Sequence, residues 1–339
     1  MVIHALNGNG FGGVESLMLN LIKSQTFKKN QHFLVFLGEV PSQFNNYKGY
    51  IINLNEVWSK RDTIKMIFAH ADFKKPHILF YWSIICQISI IPVSHGVLIS
   101  AASNILVKML LILIKIMLNV FVFGQEKIAI SKISGQDYYY GKFKVVSYTP
   151  ENFNFLNSYK VVKEQVNEIK ILHVGRFHSS KLIKSAKNQD YIYKICQKLD
   201  QLDMNYSLLF IGGGNDYINL NNKYNLKGSV SRIEYLENDL DIYKEFNFFL
   251  FPSVHESYGQ TLLWAQLSGA NCICSSNICE EVNLGSLNYL PIDNNSIDLW
   301  IESINIAINN EVNRRDLDKE IKKHVYTNYY NRLNDSISF

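Results

Sequence analysis

The 339 residues predict an α/β protein built as two successive halves. Three observations carry this. Short apolar strands repeatedly end in glycine-rich turns that open helices, the pattern of a parallel α/β sheet. It starts at Val2–Leu6 before NGNGFGGVES and starts again at Ile169–Gly175, after a polar stretch without periodicity, TPENFNFLNSYKVVKEQVNE. The length is also generous for one such domain and comfortable for two, each able to bury its own core. The expected division is a first domain over 1–150, a linker over 151–168, a second domain over 169–325 and a tail over 326–339 that returns to the first.

Apolar residues at 47% against 19% charged exclude a disordered chain. A net charge of +4 and a pI near 8.6 are only mildly basic. They fit anionic small molecules or an anionic membrane surface and are too weak to argue for nucleic acid. Met1 leads straight into a strand with no secretory signal pattern, and the five cysteines are an odd number, so the expected compartment is the reducing cytosol. Cys272 and Cys274 alternate on a strand with Cys279 just beyond, and no fourth ligand stands at a fitting spacing, so they read as buried strand cysteines.

In chain order, Val2–Leu6 is a strand. Val14, Leu17, Met18, Leu21 and Ile22 then recur at helical spacing, which starts a helix near Gly12-Gly13 and suits a phosphate or sugar at its N-terminus; a plain strand-to-helix turn is the alternative. His32–Gly38 is a second strand, and a weaker helical region covers 59–72. The apolar run from Ile78 to Val93 reads as two buried strands around a compact turn. It presents His95-Gly96 at its carboxyl end, where α/β enzymes keep reactive groups and where a structural histidine is the alternative.

Residues 97–124 are the most membrane-like. Lys108 and Lys115 lie seven apart on one face of a helix with a very wide apolar surface, either a core helix or a contact lying on the inner leaflet; a membrane span would bury both lysines. Strands over Ile128–Lys132 and Val145–Tyr148 close the first half. The second half brings a strand with Arg176 at its end, a lysine-rich loop, a helix through Ile192, Ile195, Cys196 and Leu199, and the strand YSLLFIGGG. A short strand in SRIEYL and a brief helix over Leu240–Lys244 follow.

The stretch from Phe246 to Glu281 organises the rest. It reads as a strand (Asn247–Phe251), a turn at Pro252-Ser253, a loop carrying Glu256, and a helix opening just after Gly259. Backbone amides and the dipole at such a helix start favour an anion. NCICSS and NYLPID give two more strand ends, Ile297, Trp300, Ile301 and Ile304 mark a further helix, and the C-terminal tail reads as a solvated helix.

GGVES, SHG, IAIS, HVGRF followed by KN, FIGGG, FPSVHESYGQTLLWAQLSG and EEVNLGSLNYLPID stand in the order and register of glycosyltransferase family 4. The chain resembles these retaining transferases along nearly its whole length, most closely those of bacterial capsule, exopolysaccharide and O-antigen synthesis. The resemblance implies a GT-B fold, two Rossmann-like domains facing each other across a cleft. It implies transfer of a hexose-type sugar from a nucleotide-sugar to a lipid-linked glycan, by a cytoplasmic enzyme peripheral on the inner face of the membrane. No metal or other cofactor is expected, because cations neutralise the leaving diphosphate.

Residue by residue, the resemblance places Arg176 and a lysine, Lys187 or Lys181, on the donor diphosphate, and His95 beside the transferred sugar. Gly12, Gly13 and Gly213 belong to loops over the donor. Glu256 holds sugar hydroxyls, which a carboxylate orients by accepting two hydrogen bonds. Ser257, Tyr258, Gly259 and Gln260 add contacts from their loop. The departure lies eight residues after Glu256, where the family's second glutamate is replaced by Trp264. Either Glu281 holds the ribose, or Trp264 packs on the nucleotide, or donor binding is lost. The last case would make the chain a non-catalytic sugar-nucleotide or glycan-binding scaffold. A sugar-nucleotide epimerase is a third reading, which the motif string favours less.

Overall fold

A computed structural model describes residues 1–8, 13–23, 31–70, 76–95, 99, 102, 104–123, 127–146, 168–177, 186–236 and 240–309. The chain divides into two compact units, Met1–Asn152 with Thr327–Phe339 and Phe153–Tyr326. Apart from Glu168, the stretch expected as a linker and the C-terminal tail lie outside the described residues.

The first unit carries strands β1 (Val2–Leu6), β2 (His32–Phe36), β3 (Met66–Ala69), β4 (Ile90–Ser94), β5 (Ile128–Ala129) and β6 (Lys144–Val145). They form one parallel sheet in the order β2-β1-β3-β4-β5-β6. Helix α1 (Gly13–Lys23) follows the glycine turn as expected. Helix α2 (Leu54–Ser59) is fixed by a capping box, with the Asn53 side chain accepting from the Glu56 amide at 2.9 Å and Glu56 accepting from the Asn53 amide at 2.8 Å.

Two expectations fail here. The helical region over 59–72 contains β3, whose four residues are all buried and so show no polar alternation to mark a strand. The first of the two strands expected in the run from Ile78 is instead helix α3 (Pro76–Phe80), continued by a π-type turn over Tyr81–Ile85 that Cys86 N–H closes on the Tyr81 carbonyl at 3.1 Å. Pro76 suits the first position of a helix, and a continuous apolar run cannot by itself separate buried strand from buried helix.

The wide apolar helix is α4 (Ile105–Phe121), N-capped by Asn104, whose side chain accepts from the amides of Leu106 and Val107. Lys115 and Asn119 face inward. Lys115 is buried, donates to the Gln136 carbonyl at 3.0 Å and lies 4.6 Å from the Tyr140 ring centre, and Asn119 donates to the Tyr138 carbonyl at 3.0 Å; both carbonyls belong to helix α5 (Lys132–Tyr138). Leu118 is fully buried, yet Leu106, Met109, Leu110, Leu113, Met117, Val120 and Phe121 are all exposed. Among the described residues no helix is long and apolar enough to cross a membrane.

The second unit carries β7 (Ile169–Val174), β8 (Tyr206–Ile211), β9 (Ser229–Ile233), β10 (Phe248–Phe251), β11 (Asn271–Ser275) and β12 (Leu287–Leu290). They are parallel in the order β12-β11-β10-β7-β8-β9, the doubly wound pattern in which strand order reverses between β7 and β10. Helices α6 (Gln189–Gln201), α7 (Asp216–Tyr224), α8 (Gln260–Leu267) and α9 (Ile297–Asn309) connect them; α7 is polar and had no clear sequence signature. In the core, Tyr193 stacks on Phe210 and Tyr224, and fully buried Trp300 donates its indole N–H to the Pro291 carbonyl at 2.8 Å.

Candidate functional site

In a sheet of this order the crevice for a ligand opens at the carboxyl ends of the strands that flank the reversal, here β7 and β10. The sequence places its candidates there. β7 ends in Gly175-Arg176 and β10 leads through Pro252-Ser253 to Glu256. Buried His173 ties the two strands together, bonding through Nδ1 to the Leu250 carbonyl at 2.8 Å. Burial pulls its pKa down to about 4 with Lys187 nearby adding to the fall, and its Nε2 is buried without a partner.

The turn after β7 is held rigidly. Phe177 N–H donates to the Gly213 carbonyl at 2.8 Å, and buried Gln189 donates to the Arg176 carbonyl at 3.0 Å. Gly214, at φ +128°, leaves no room for a side chain, since a Cβ would stand 1.7 Å from the Phe177 carbonyl oxygen. The triple glycine thus packs two loops against each other, and Arg176 is left exposed at the rim.

Lys187 and Glu256 form an ion pair, both side chains largely sheltered, with the ammonium 4.8 Å from the Phe251 ring centre. Val254 N–H donates to the Ala186 carbonyl at 2.9 Å and fixes the two loops side by side. Lys181 lies outside the described residues. Ser257 and Tyr258 are buried behind Glu256. Gly259, at φ +88°, caps α8 in the left-handed conformation that glycine adopts without strain, and its carbonyl takes the first helical bond, from Leu263 N–H at 3.0 Å.

At this helix start Gln260 Nε2 and Thr261 Oγ1 are buried without a protein partner, as is Ser253 Oγ in the loop below. Orphaned donors at a helix N-terminus form a site prepared for an anion. Trp264 stands one turn further along α8 and is half-buried. Its neighbour Gln266 is structural, donating to the Val282 carbonyl at 3.0 Å and accepting from Leu284 N–H at 2.9 Å. This holds the short helical turn with Glu281 against α8. Burial pushes the Cys279 thiol up to about 12, helped by the negative charges of Glu281 and Glu256.

In the first unit, Gly13 opens α1 and Gly12 lies outside the described residues. His95 is half-buried just beyond β4, with Nε2 2.8 Å from His70 Nδ1, and burial pulls its pKa to about 3. Sequence reasoning missed His70 and His173. A histidine in or directly after a short buried strand was the available signal for both. It also missed Ser253, Thr261 and Gln189, ordinary polar residues in loops and first turns whose role depends on their burial.

Residues 157–324 match the family model described as glycosyl transferases group 1. The chain is 23% identical over 350 residues to the putative glycosyltransferase EpsF of Bacillus subtilis (strain 168), covering 89% of this chain and 86% of that one. Among solved structures, Anabaena Alr3699/HepE in complex with UDP superposes with a TM-score of 0.72 at 12% identity, over 99% of this chain and 98% of that one. WaaG, a glycosyltransferase involved in lipopolysaccharide biosynthesis, superposes with a TM-score of 0.63 at 13% identity, over 99% and 98%. With its two parallel six-stranded sheets and the cation–carboxylate pair at the reversal of the second, the chain has the GT-B fold, and its second half matches the glycosyl transferases of group 1.

Proposed function

We propose that the protein is a retaining glycosyltransferase that moves a hexose-type sugar from a nucleotide-sugar to a lipid-linked glycan of a bacterial surface polysaccharide. The observation that carries this is the Lys187–Glu256 pair beside the orphaned donors of Gln260 and Thr261. The pair offers the two groups such a donor needs, a cation for the diphosphate and a carboxylate for sugar hydroxyls. Arg176 and Lys187 together neutralise the leaving diphosphate, and no metal takes part. The acceptor hydroxyl attacks on the face from which the phosphate leaves, and that phosphate takes the proton. His95 lies beside the sugar, and Gly12 and Gly13 cover the donor. The glycosyltransferase relatives of surface-polymer synthesis and the UDP complex make UDP-sugars the first donors to try.

The outward face of α4 supports the location. An apolar face turned outward with Lys115 turned inward suits a protein resting on the inner leaflet from the cytoplasmic side, where a lipid-linked acceptor is presented. The purified protein is incubated with a panel of nucleotide sugars and lipid extract. Transfer, or slow release of the nucleoside diphosphate, is expected; neither with any donor refutes the enzyme.

Trp264 favours a second reading, a sugar-nucleotide or glycan-binding scaffold, because an indole cannot accept the ribose hydroxyls. Glu281 answers it: it sits on the short helical turn that Gln266 of α8 holds through Val282 and Leu284, and its carboxylate can take the ribose in place of a glutamate at 264. Donor binding without turnover would favour the scaffold.

A further inference from the structure

Four histidines on neighbouring strands of the first sheet form one hydrogen-bonded row. His32 Nδ1 lies 3.4 Å from His4 Nε2, His4 Nδ1 lies 3.0 Å from His70 Nε2, and His70 Nδ1 lies 2.8 Å from His95 Nε2. The strand register produces the row. His4 faces Leu34 of β2, two residues past His32, and faces Phe68 of β3, two residues before His70. Ala69 faces Pro92 of β4, so the same register sets His95 two residues past the position opposite His70. Each step crosses one strand and climbs two residues, and a period of two keeps every ring on the same face of the sheet. His4, His70 and His32 are buried and the row surfaces at His95.

A neutral imidazole has one N–H and one acceptor nitrogen. Burial holds His4, His70 and His95 well below the usual histidine range, so these rings are neutral near pH 7. Every junction joins Nδ1 of one ring to Nε2 of the next. All three bonds therefore form only when every ring carries its proton on the same nitrogen. With the protons on Nδ1 the bonds run toward His95 and its own Nδ1 is a donor; with them on Nε2 the bonds run away and that Nδ1 is an acceptor.

We propose that His32, His4 and His70 are positioning residues that act with His95 as one tautomeric unit, so that the nitrogen carrying the His95 proton is set for the row as a whole. Given the reading above that His95 lies beside the transferred sugar, this decides whether His95 meets a sugar hydroxyl as donor or as acceptor. The row joins a point deep in the sheet to the site through rings that do not themselves touch substrate.

The test is long-range 1H–15N NMR of the whole protein labelled with 15N-histidine, without substrate. In the wild type the four rings should show one shared neutral tautomer between about pH 6 and pH 8. His4→Phe cuts the row without touching His95, and His95 should then show both tautomers. The more peripheral His32→Phe should move it the same way. In transfer assays His4→Phe should lower kcat by about tenfold at unchanged donor KM, the size of one lost orienting hydrogen bond. Mixed tautomers at His95 in the wild type, titration of His95 within that range, or a His95 tautomer indifferent to both substitutions overturns the proposal. Should the variants fail to fold, the wild-type spectrum alone decides. The spectrum needs no substrate, so a shared tautomer in a protein without transferase activity refutes the proposed function and leaves the row standing.

Discussion

Replacing Leu106, Leu110 and Leu113 together by Gln tests the membrane contact directly. The three lie at helical spacing on the outward side of α4 and are 72%, 57% and 57% exposed. Burying a leucine fully is worth about 2 kcal/mol. Scaled by these exposures, the three contribute about 3.7 kcal/mol to transfer into a bilayer interface, roughly 400-fold in partitioning. Sedimentation with liposomes reads this directly. The wild type should pellet with the vesicles and should resist added salt, because Lys115 is turned inward and the contact is mainly apolar. The triple variant should stay in the supernatant with an unchanged Tm, since these side chains contribute little to the folded core. Equal pelleting of both proteins would refute the reasoning, and a large fall in Tm would show that this face is covered within the protein itself.

Lys187→Met and Glu256→Gln should each weaken binding of a UDP-sugar by about tenfold or more, and the double variant should lose less than the two combined because the groups are paired; strictly additive losses by calorimetry would show that they act apart. Trp264→Glu should raise donor affinity if the tryptophan is a loss and lower it if the indole packs on the nucleotide; no change would remove Trp264 from the site. Trp300→Ala should cost about 3–5 kcal/mol in denaturant unfolding, since the indole is fully buried and its N–H is bonded; a cost below 1 kcal/mol would mean the core re-forms around it. Histidines with folded pKa values below their unfolded ones stabilise the protein fully above about pH 6.5 and lose that contribution as the pH falls toward the folded values. His4 and His70 alone should make stability fall by about 3 kcal/mol per pH unit below pH 6, and a stability unchanged between pH 7 and 5 would contradict their burial as neutral rings.

Much of the second unit was legible because its segments signal locally. Gly259 before GQTLLWAQL marked the start of α8, the helical spacing of Ile192, Ile195, Cys196 and Leu199 marked α6, and glycine at the ends of β7 and β8 marked the close loops. The first unit was harder. β3 is too short and too buried to alternate, and the run beginning at Ile78 carries no period that separates a helix from a strand. The direction of α4 was left open, between a core helix and a contact on the inner leaflet, for a related reason. Lys108 and Lys115 marked a polar side, but a polar side faces water only when nothing inside the protein bonds it, and here Lys115 meets Gln136 and Tyr140.

The sequence by itself determined the two α/β halves, the family resemblance and the residue types at the donor site, because strand ends, glycines and helix starts are written in neighbouring residues. The meeting of groups distant along the chain was decided by the tertiary structure. Lys187 and Glu256 stand 69 residues apart and pair because the reversal of strand order sets their loops side by side. His4, His32, His70 and His95 are single letters on four short segments. Only the register of parallel strands, two residues per step on one face, turns them into a row.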